Sequence, residues 1–453
     1  MMNPFGLFLV VLSGAIPLFW FGPLMQTYNP AGVFSQYLGA VALIWMGLAQ
    51  LLATRWRGLE AIFGGMDRMY VLHKWLAVVA IGAAALHDTI DAEAGGFAPW
   101  PRLEDMAEEW GEIGFYGLLV LIIISLITFI PYHYWKWSHR LIGAFFALAA
   151  AHFFFIEKSF VMNGPLGWYI SAFCVLGIVS YLYLLIPRRL GLNTKVYEVS
   201  EVIGHGGGIT EVHLQPRGRG IGHKPGQFSF VNFEQWGLGE VHPYTISSAP
   251  TADQSLQFMI KGLGGYTKKL GGTLEKGTRA RVSRAFGHFR MRDTGQPQVW
   301  IGAGIGITPF LAWSGMLKEG WSSPTTLYYC VPSRGEALYV EYWEALAARV
   351  KNFEFVLVVS GEGPRLSAEG IAAHLGAGLK SASVYFCGPV PMRAVLKKGL
   401  VARGLRRRKF HYEEFEIRSE VGVRWLLGWI AQRFFPEFDV REVVGRLPAV
   451  GGD

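Results

Sequence analysis

The stretch that decides the fold is LHKWLAVVAIGAAALH, residues 72–87, read together with HRLIGAFFALAAAH, residues 139–152. Each is an apolar run with a histidine near either end: His73 and His87 in the first, His139 and His152 in the second. A histidine inside a hydrocarbon-spanning helix is costly unless it has a partner, so it marks a functional site. His73 and His87 are 14 residues apart. At about 1.5 Å rise and about 100° per residue they lie about 21 Å apart along the axis and share one face. One therefore sits near each membrane surface. Two such helices side by side present two facing histidine pairs, and a facing pair is an axial ligand set for haem iron. The second run fits less easily. Its 13-residue spacing offsets the two rings by about 220° in an ideal helix, so over- or underwinding, or a bulge, is needed between His139 and His152.

Composition agrees with a membrane assignment. Of 453 residues, 51% are hydrophobic, too many for an ordinary soluble protein, and the length suits two or three domains. Uncharged runs fill the first 187 residues, and the remainder reads as soluble α/β sequence. The net charge of +8 comes largely from Lys and Arg beside the membrane runs and in phosphate-binding stretches, and implies no nucleic-acid partner. Cys174, Cys330 and Cys387 have no metal-ligand spacing and form no disulfide framework. The first apolar run lacks a basic n-region and a cleavage site, so it is expected to be a retained transmembrane helix.

Six spans are expected, at roughly 5–24, 34–53, 70–90, 113–131, 138–156 and 166–186. Arg55, Arg57 and Arg68 lie between the second and third, Lys136 and Arg140 between the fourth and fifth, and Arg188 and Arg189 after the sixth. The segment between the third and fourth is acidic, from Asp91 to Glu112. The positive-inside rule then places both termini in the cytoplasm and the acidic loop outside. Spans three and five run in the same direction, which sets His73 level with His139 and His87 level with His152.

Beyond the turn at Pro187–Asn193, short alternating strands with Gly and Pro punctuation suggest a small antiparallel barrel: 195–202, 210–214, 228–233 and 256–260. Two motifs sit in it. His242-Pro243-Tyr244-Thr245-Ile246-Ser247-Ser248 offers an aromatic ring and hydroxyls at a strand end, suited to a flat ring system with polar edges. Lys261-Gly262-Leu263-Gly264-Gly265-Tyr266-Thr267 leads glycines into a helix start, where backbone N–H groups favour a phosphate. Val299 to Phe310 (VWIGAGIGITPF) then runs a buried strand into a glycine turn, with Pro309 at the beginning of a helix, as in a pyrophosphate cradle. The glycines Gly302, Gly304 and Gly306 fall at every second position, so this is not the G-x-G-x-x-G fingerprint. Ser333-Arg334 follows the next strand and suits a ribose 2′-phosphate, because a guanidinium matches phosphate geometry. Strands at 355–360 and 383–387 continue a parallel sheet, and Cys387-Gly388-Pro389 ends the last of them, at the strand edge where ligands bind in such sheets.

Taken together, the paired membrane histidines, His242–Thr245, Gly302–Pro309, Cys387–Pro389 and Phe410-His411-Tyr412-Glu413-Glu414-Phe415 resemble the ferric reductase / NADPH oxidase superfamily of transmembrane flavocytochromes. The resemblance covers roughly residues 5–416. It implies a six-helix haem domain (1–187), an antiparallel β-barrel FAD domain (188–295) and an α/β parallel-sheet NAD(P)H domain (296–416), with a C-terminal extension (417–453) whose Val423–Phe435 stretch suits an amphipathic helix. It implies two b-type haems, ligated by His73 with His139 and His87 with His152. It implies FAD held by His242, Pro243, Tyr244, Thr245, Ser247 and the Ile260–Thr267 tract, notably Ile260, Lys261, Gly265, Tyr266 and Thr267. It implies NAD(P)H over Gly302, Gly304, Gly306, Thr308 and Pro309, with Arg334, Gly388 and Pro389. NADPH is favoured over NADH through Arg334. Phe415 matches the aromatic that covers the flavin in relatives, and Cys387 lies in the nicotinamide pocket.

The expected activity is electron transfer from cytoplasmic NAD(P)H to an acceptor outside, a ferric chelate or O2. The short segment 157–165 and the lack of basic groups beyond Lys158 tilt the expectation toward ferric or generic acceptors. An alternative is an electron-donor subunit for a separate periplasmic or membrane redox partner.

Overall fold

The computed structural model describes residues 3–413 apart from 57, 91, 98–99, 128–129, 131, 187–193 and 319. Arg57, Asp91, the turn at 187–193, Phe415 and the 417–453 extension lie outside the described residues. The chain divides into two compact units, Met1–Leu190 together with Glu416–Asp453, and Gly191–Phe415.

The first unit is helical. Helices α1 (Pro4–Ala15) and α2 (Leu18–Thr27) form one apolar rod broken at Pro17, whose ring and missing N–H interrupt the ladder. Helix α3 (Pro30–Ala53) follows. Both α1 and α3 start with an asparagine cap and a proline in the first turn: the Asn3 side chain accepts from the Phe5 N–H, and that of Asn29 from the Ala31 N–H. A short helix α4 (Leu59–Phe63) precedes α5 (Met66–Thr89), which carries His73 and His87. Then come α6 (Glu104–Leu126), α7 (Tyr132–His139), α8 (Ile142–Phe155) and α9 (Pro165–Leu185). Among the described residues, six helical segments are long and apolar enough to cross a membrane: Pro4–Thr27, Pro30–Ala53, Arg68–Thr89, Pro101–Leu126, Tyr134–Phe155 and Pro165–Leu185.

The fourth span corrects the sequence reading. It ends at Leu126, and its helix begins at Glu104 rather than near 113, so the acids from 104 to 112 are helical and not loop. Glu104 and Asp105 fall in the first turn, where the helix dipole favours negative charge.

Helix α5 packs chiefly on α3, and α8 on α6 and α9. The core between them includes Val33, Ile44, Ala80, Phe146, Ala150 and Ile170, with Cys174 buried among them as an apolar filler.

The second unit opens with a six-stranded antiparallel sheet: β1 (Thr194–His205), β2 (Ile209–Pro216), β3 (Phe228–Phe233), β4 (His242–Thr245), β5 (Leu256–Lys261) and β6 (Arg279–Ser283). The order is β4-β3-β6-β1-β2-β5, and a bridge from Ile246 to Phe258 brings the ends together into a nearly closed barrel. Tyr197, Val212, Val231, Phe233, Phe258 and Val282 fill it. Helix α10 (Gly265–Thr273) follows β5.

A five-stranded parallel sheet comes next: β7 (Gln298–Ala303), β8 (Thr325–Val331), β9 (Phe353–Val359), β10 (Ser383–Cys387) and β11 (Phe410–Tyr412), in the order β11-β10-β7-β8-β9. Helices α11 (Thr308–Ser314), α12 (Val340–Arg349), α13 (Ala368–Leu375) and α14 (Val390–Ala402) connect the strands. The chain leaves β7 toward β8 and β9, then returns to the other side of β7 with β10. The order therefore reverses between β7 and β10, the position where open α/β sheets bind ligands.

Candidate functional site

The histidines fall into two facing pairs. The His73 and His139 ring centroids are 6.0 Å apart, and those of His87 and His152 are 6.4 Å apart. The planes are inclined at 59° and 58°, so neither pair is stacked. The separation has a simple meaning. A metal–nitrogen bond of about 2 Å on each side, with each ring centre about 1.2 Å behind its nitrogen, sets centroids about 6.4 Å apart. Small residues occupy the face of α5 between its two histidines: Ala77, Ala80 and Ala84 lie at helical spacing from His73 to His87. Helix α5 scarcely touches α7 or α8 backbone to backbone.

The awkward spacing of the second pair is resolved by a break. His139 ends α7, and Arg140 and Leu141 turn with bonds from their N–H groups to Trp137 O and Ser138 O, three residues back. Such 3₁₀ winding advances about 120° per residue, about 20° more than an α-helix, and so turns His139 only part of the way toward the face of His152. The two histidines also stand on separate helices, so they need not share an axis.

Each ring has its Nδ1 occupied. Nδ1 of His73 lies 2.8 Å from Ala49 O, and that of His152 lies 2.9 Å from Ala107 O. A carbonyl only accepts, so both nitrogens carry the proton. Nδ1 of His87 lies 2.8 Å from Ser35 Oγ, and that of His139 lies 2.9 Å from Ser125 Oγ. Each hydroxyl donates its single proton elsewhere, Ser35 to His87 O and Ser125 to Leu121 O. With the hydroxyl proton placed on the carbonyl, each serine oxygen accepts from Nδ1. All four rings become Nδ1–H tautomers with the Nε2 lone pair available, and among the described residues none of the four Nε2 atoms has a hydrogen-bond partner. This is the state in which imidazole ligates a metal, held by the outer contact that orients it.

Two helices supply these acceptors, α3 to both histidines of α5 and α6 to those of α7 and α8. On α3, Ser35 and Ala49 repeat the 14-residue spacing of His73 and His87. On α6, Ala107 and Ser125 are 18 residues apart, about five full turns, and share a face. Gly111 clears the way to Ala107. A Cβ there would fall 2.6 Å from His152 Nδ1. These serines were not singled out from sequence, although each is a hydroxyl inside an apolar span.

In the barrel, His242, Pro243, Tyr244 and Thr245 form β4, with Ser247 just beyond. The Tyr244 and Ser247 hydroxyls, and that of Ser229 directly across from Tyr244, are buried without a hydrogen-bond partner among the described residues. Burial pushes the Tyr244 phenol up, so it stays a neutral donor. Three unpartnered hydroxyls around one strand end fit a polar-edged ring such as a flavin. His242 packs on Tyr266, ring centroids 4.1 Å apart, and its Nε2 lies 3.0 Å from Glu240 Oε2. Ile260 and Lys261 end β5, and Thr267 Oγ1 accepts from the N–H groups of Leu263 and Gly264. That leaves the N–H groups of Gly265 and Tyr266 at the start of α10 for a phosphate. Lys261 Nζ pairs with Glu336 Oε2 at 3.2 Å.

At the switch between β7 and β10, Gly302 pairs with Cys387, which brings the Gly304–Ile307 turn beside Gly388 and Pro389. A Cβ on Gly306 would fall 2.2 Å from Cys387 O, so only glycine permits this approach. Thr308 and Pro309 open α11. Cys387 is fully buried, and burial raises its thiol well above the ordinary range, next to the Glu413 charge. It is a neutral, packed thiol rather than a nucleophile. Arg334 stands after β8 as expected, but Arg334 Nε pairs with Glu362 Oε2 at 3.0 Å, both side chains being largely exposed.

A buried carboxylate missed by the sequence reading ties the barrel to the nucleotide-binding sheet. Glu211 accepts from His205 Nε2 (2.6 Å), Tyr339 Oη (2.6 Å), His213 Nε2 (2.5 Å) and Gln257 Nε2 (2.6 Å). Burial alone would raise its pKa, but the bonds from Tyr339, His205 and His213 hold the carboxyl below its ordinary range.

The family descriptions that match this chain follow the same order. "Ferric reductase like transmembrane component" matches residues 38–150, "FAD-binding domain" 197–299 and "Oxidoreductase NAD-binding domain" 300–398. The chain has a ferric reductase/NADPH oxidase-like architecture. This ferric reductase-like chain carries helices long and apolar enough to cross a membrane, followed by regions that match FAD-binding and NAD-binding domains. It is 33% identical over 150 residues to NADPH oxidase 1 of Mus musculus, which covers 32% of this chain and 24% of that protein. It is 28% identical over 200 residues to the toluate 1,2-dioxygenase electron transfer component of Pseudomonas putida (42% and 58%), and 26% identical over 217 residues to a flavohemoprotein of Deinococcus radiodurans (43% and 52%). The ferric reductase-like chain thus spans less than two thirds of the length of these curated relatives.

Proposed function

We propose that the chain passes electrons from cytoplasmic NAD(P)H, by way of FAD and two b-type haems, to a small acceptor on the opposite face of a cell inner or plasma membrane. When bound, the flavin takes a hydride as two electrons, and the haems carry electrons one at a time. The observation that carries this reading is the two histidine pairs, spaced for a shared metal and locked in the metal-binding tautomer.

The chain's own residues do the placing. His73 and His139 hold the inner haem, and His87 and His152 the outer one. With both rings of each pair given to one iron, these residues would offer the acceptor no metal to bind, and it would take its electron at the protein surface. Tyr244, Thr245, Ser247 and His242 hold the flavin ring edge, with the start of α10 on its phosphates. Gly302 to Pro309 cradle the pyrophosphate of NAD(P)H, Arg334 receives a 2′-phosphate, and Cys387, Gly388 and Pro389 shape the nicotinamide pocket. Phe415 is the residue that, by its match to relatives, would cover the flavin ring. Arg55, Arg68, Lys136 and Arg140 keep the inner ends cytoplasmic, and both termini with them. The acceptor is a ferric chelate or O2.

The test is NAD(P)H turnover by the purified, membrane-reconstituted chain, with Fe(II) and superoxide assayed in parallel and haem followed spectroscopically. A wild-type preparation with flavin but without haem overturns the reading. Turnover only after a separate redox protein is added favours the donor-subunit alternative.

A further inference from the structure

We propose that Lys158 is an electrostatic positioning residue of the outer histidine pair, its buried ammonium drawing the electron toward whatever His87 and His152 hold. The proposal rests on the haem reading above and adds a direction to it.

Lys158 lies between α8 and α9 and is only 3% exposed, rare for a lysine. Its backbone is pinned on both sides. The Phe97 N–H donates to Lys158 O at 2.8 Å, and the Lys158 N–H donates to Phe97 O at 3.2 Å. The next residue, Ser159, donates to Gln36 Oε1 of α3 through both its N–H and its hydroxyl. The ammonium donates to Ile156 O at 2.6 Å and stands 5.5 Å from the centre of the Phe153 ring. Among the described residues no carboxylate forms an ion pair with it. Glu104 acts on it only through space.

An ammonium can donate three hydrogen bonds, and here one is used. Burying a charge so sparsely compensated is unfavourable, and the fold nevertheless holds it firmly. Burial lowers its pKa to about 8, with Glu104 opposing, so it is still charged at neutral pH. The ammonium stands against the ring of Phe153, the residue that directly follows His152 on α8, which places its charge beside the outer pair. A fixed positive charge stabilises the state with one more electron. Asp88, beside His87, acts in the opposite sense, but it is exposed and screened by water. The buried lysine is screened far less, so its sign prevails.

The experiment is a redox titration of the full chain in lipid nanodiscs, following the reduced haem band, for wild type, Lys158→Met and Lys158→Arg. The expected result is a lower midpoint for the outer haem in Lys158→Met, an unmoved inner one, and a near-wild-type value in Lys158→Arg. In a His87→Ala background, which leaves only the inner haem, Lys158→Met should change nothing. Lys158→Gln, which keeps a donor for Ile156 O, replaces the Met variant if that does not fold. Two haems with unchanged midpoints in the neutral variants, or the same shift in Lys158→Arg, overturn the role of Lys158. A wild-type chain without haem would instead overturn the reading beneath it.

Discussion

Replacing Ser125 by Ala tests how the inner pair is held. Ser125 Oγ accepts from His139 Nδ1 at 2.9 Å and is committed as a donor to Leu121 O at 2.7 Å. Alanine removes the acceptor and leaves His139 either with a buried, unpaired N–H or free to move that proton to Nε2. The first costs about 1–3 kcal/mol, and the second removes the lone pair that must ligate. At about 1.4 kcal/mol per tenfold this weakens inner haem affinity by roughly 5- to 150-fold, in line with the roughly 10- to 100-fold seen for outer partners of metal-bound histidines. His73, opposite, keeps its bond to Ala49 O, and the outer pair is untouched. The assay is loss of haem to excess apomyoglobin, read as the haem-to-flavin ratio over time. Ser125→Ala should lose one haem of two, faster than wild type, while Ser125→Thr keeps both. Unchanged loss kinetics in Ser125→Ala would refute the argument that the hydroxyl fixes the tautomer.

The same logic extends to other sites. Ser35→Ala should release the outer haem selectively and abolish reduction of external acceptors while NAD(P)H still reduces the flavin, measured by stopped-flow absorbance. Arg334→Ala should raise KM for NADPH and spare NADH, whereas Glu362→Gln, which frees the guanidinium, should lower KM for NADPH; equal effects on both nucleotides would remove Arg334 from 2′-phosphate recognition. Glu211→Ala leaves four donors unsatisfied at the joint between barrel and parallel sheet and should cost about 3 kcal/mol, read as an earlier thermal rise in flavin fluorescence. Because the Glu211 pKa is lower folded than unfolded, its contribution is complete above its unfolded pKa, about 4.3. It is lost as pH falls through the folded value, so the wild-type midpoint should drop on acidification and that of Glu211→Ala should drop less.

Much of this molecule is local in origin. Phe228–Phe233 is a strand because its residues favour a pleated, half-buried surface, and it was expected over those same residues. His73 and His87 share a face because 14 residues nearly complete four turns, a matter of helix geometry alone. The Gly302–Pro309 and His242–Thr245 motifs are short enough for chemistry to be read from their order. The acidic stretch from Glu104 was misread as loop because charge was weighed against membrane length, when the helix dipole welcomes those residues outside the apolar core.

What the chain could not announce is which atoms meet across helices. The 13-residue spacing from His139 to His152 contradicts a shared face on one unbroken helix, and the break at Arg140 and Leu141 separates the two histidines onto α7 and α8. The partners of the four rings are two hydroxyls and two backbone carbonyls, 45 to 52 residues away in two cases. A carbonyl acceptor has no sequence signature, because every residue carries one. Glu211 reads as an ordinary strand glutamate until Tyr339, 128 residues later, closes over it. Periodicity determined the elements and the face of each. The hydrogen bonds that choose a tautomer, hold a charge in place and give the histidine pairs their spacing came only when the helices packed.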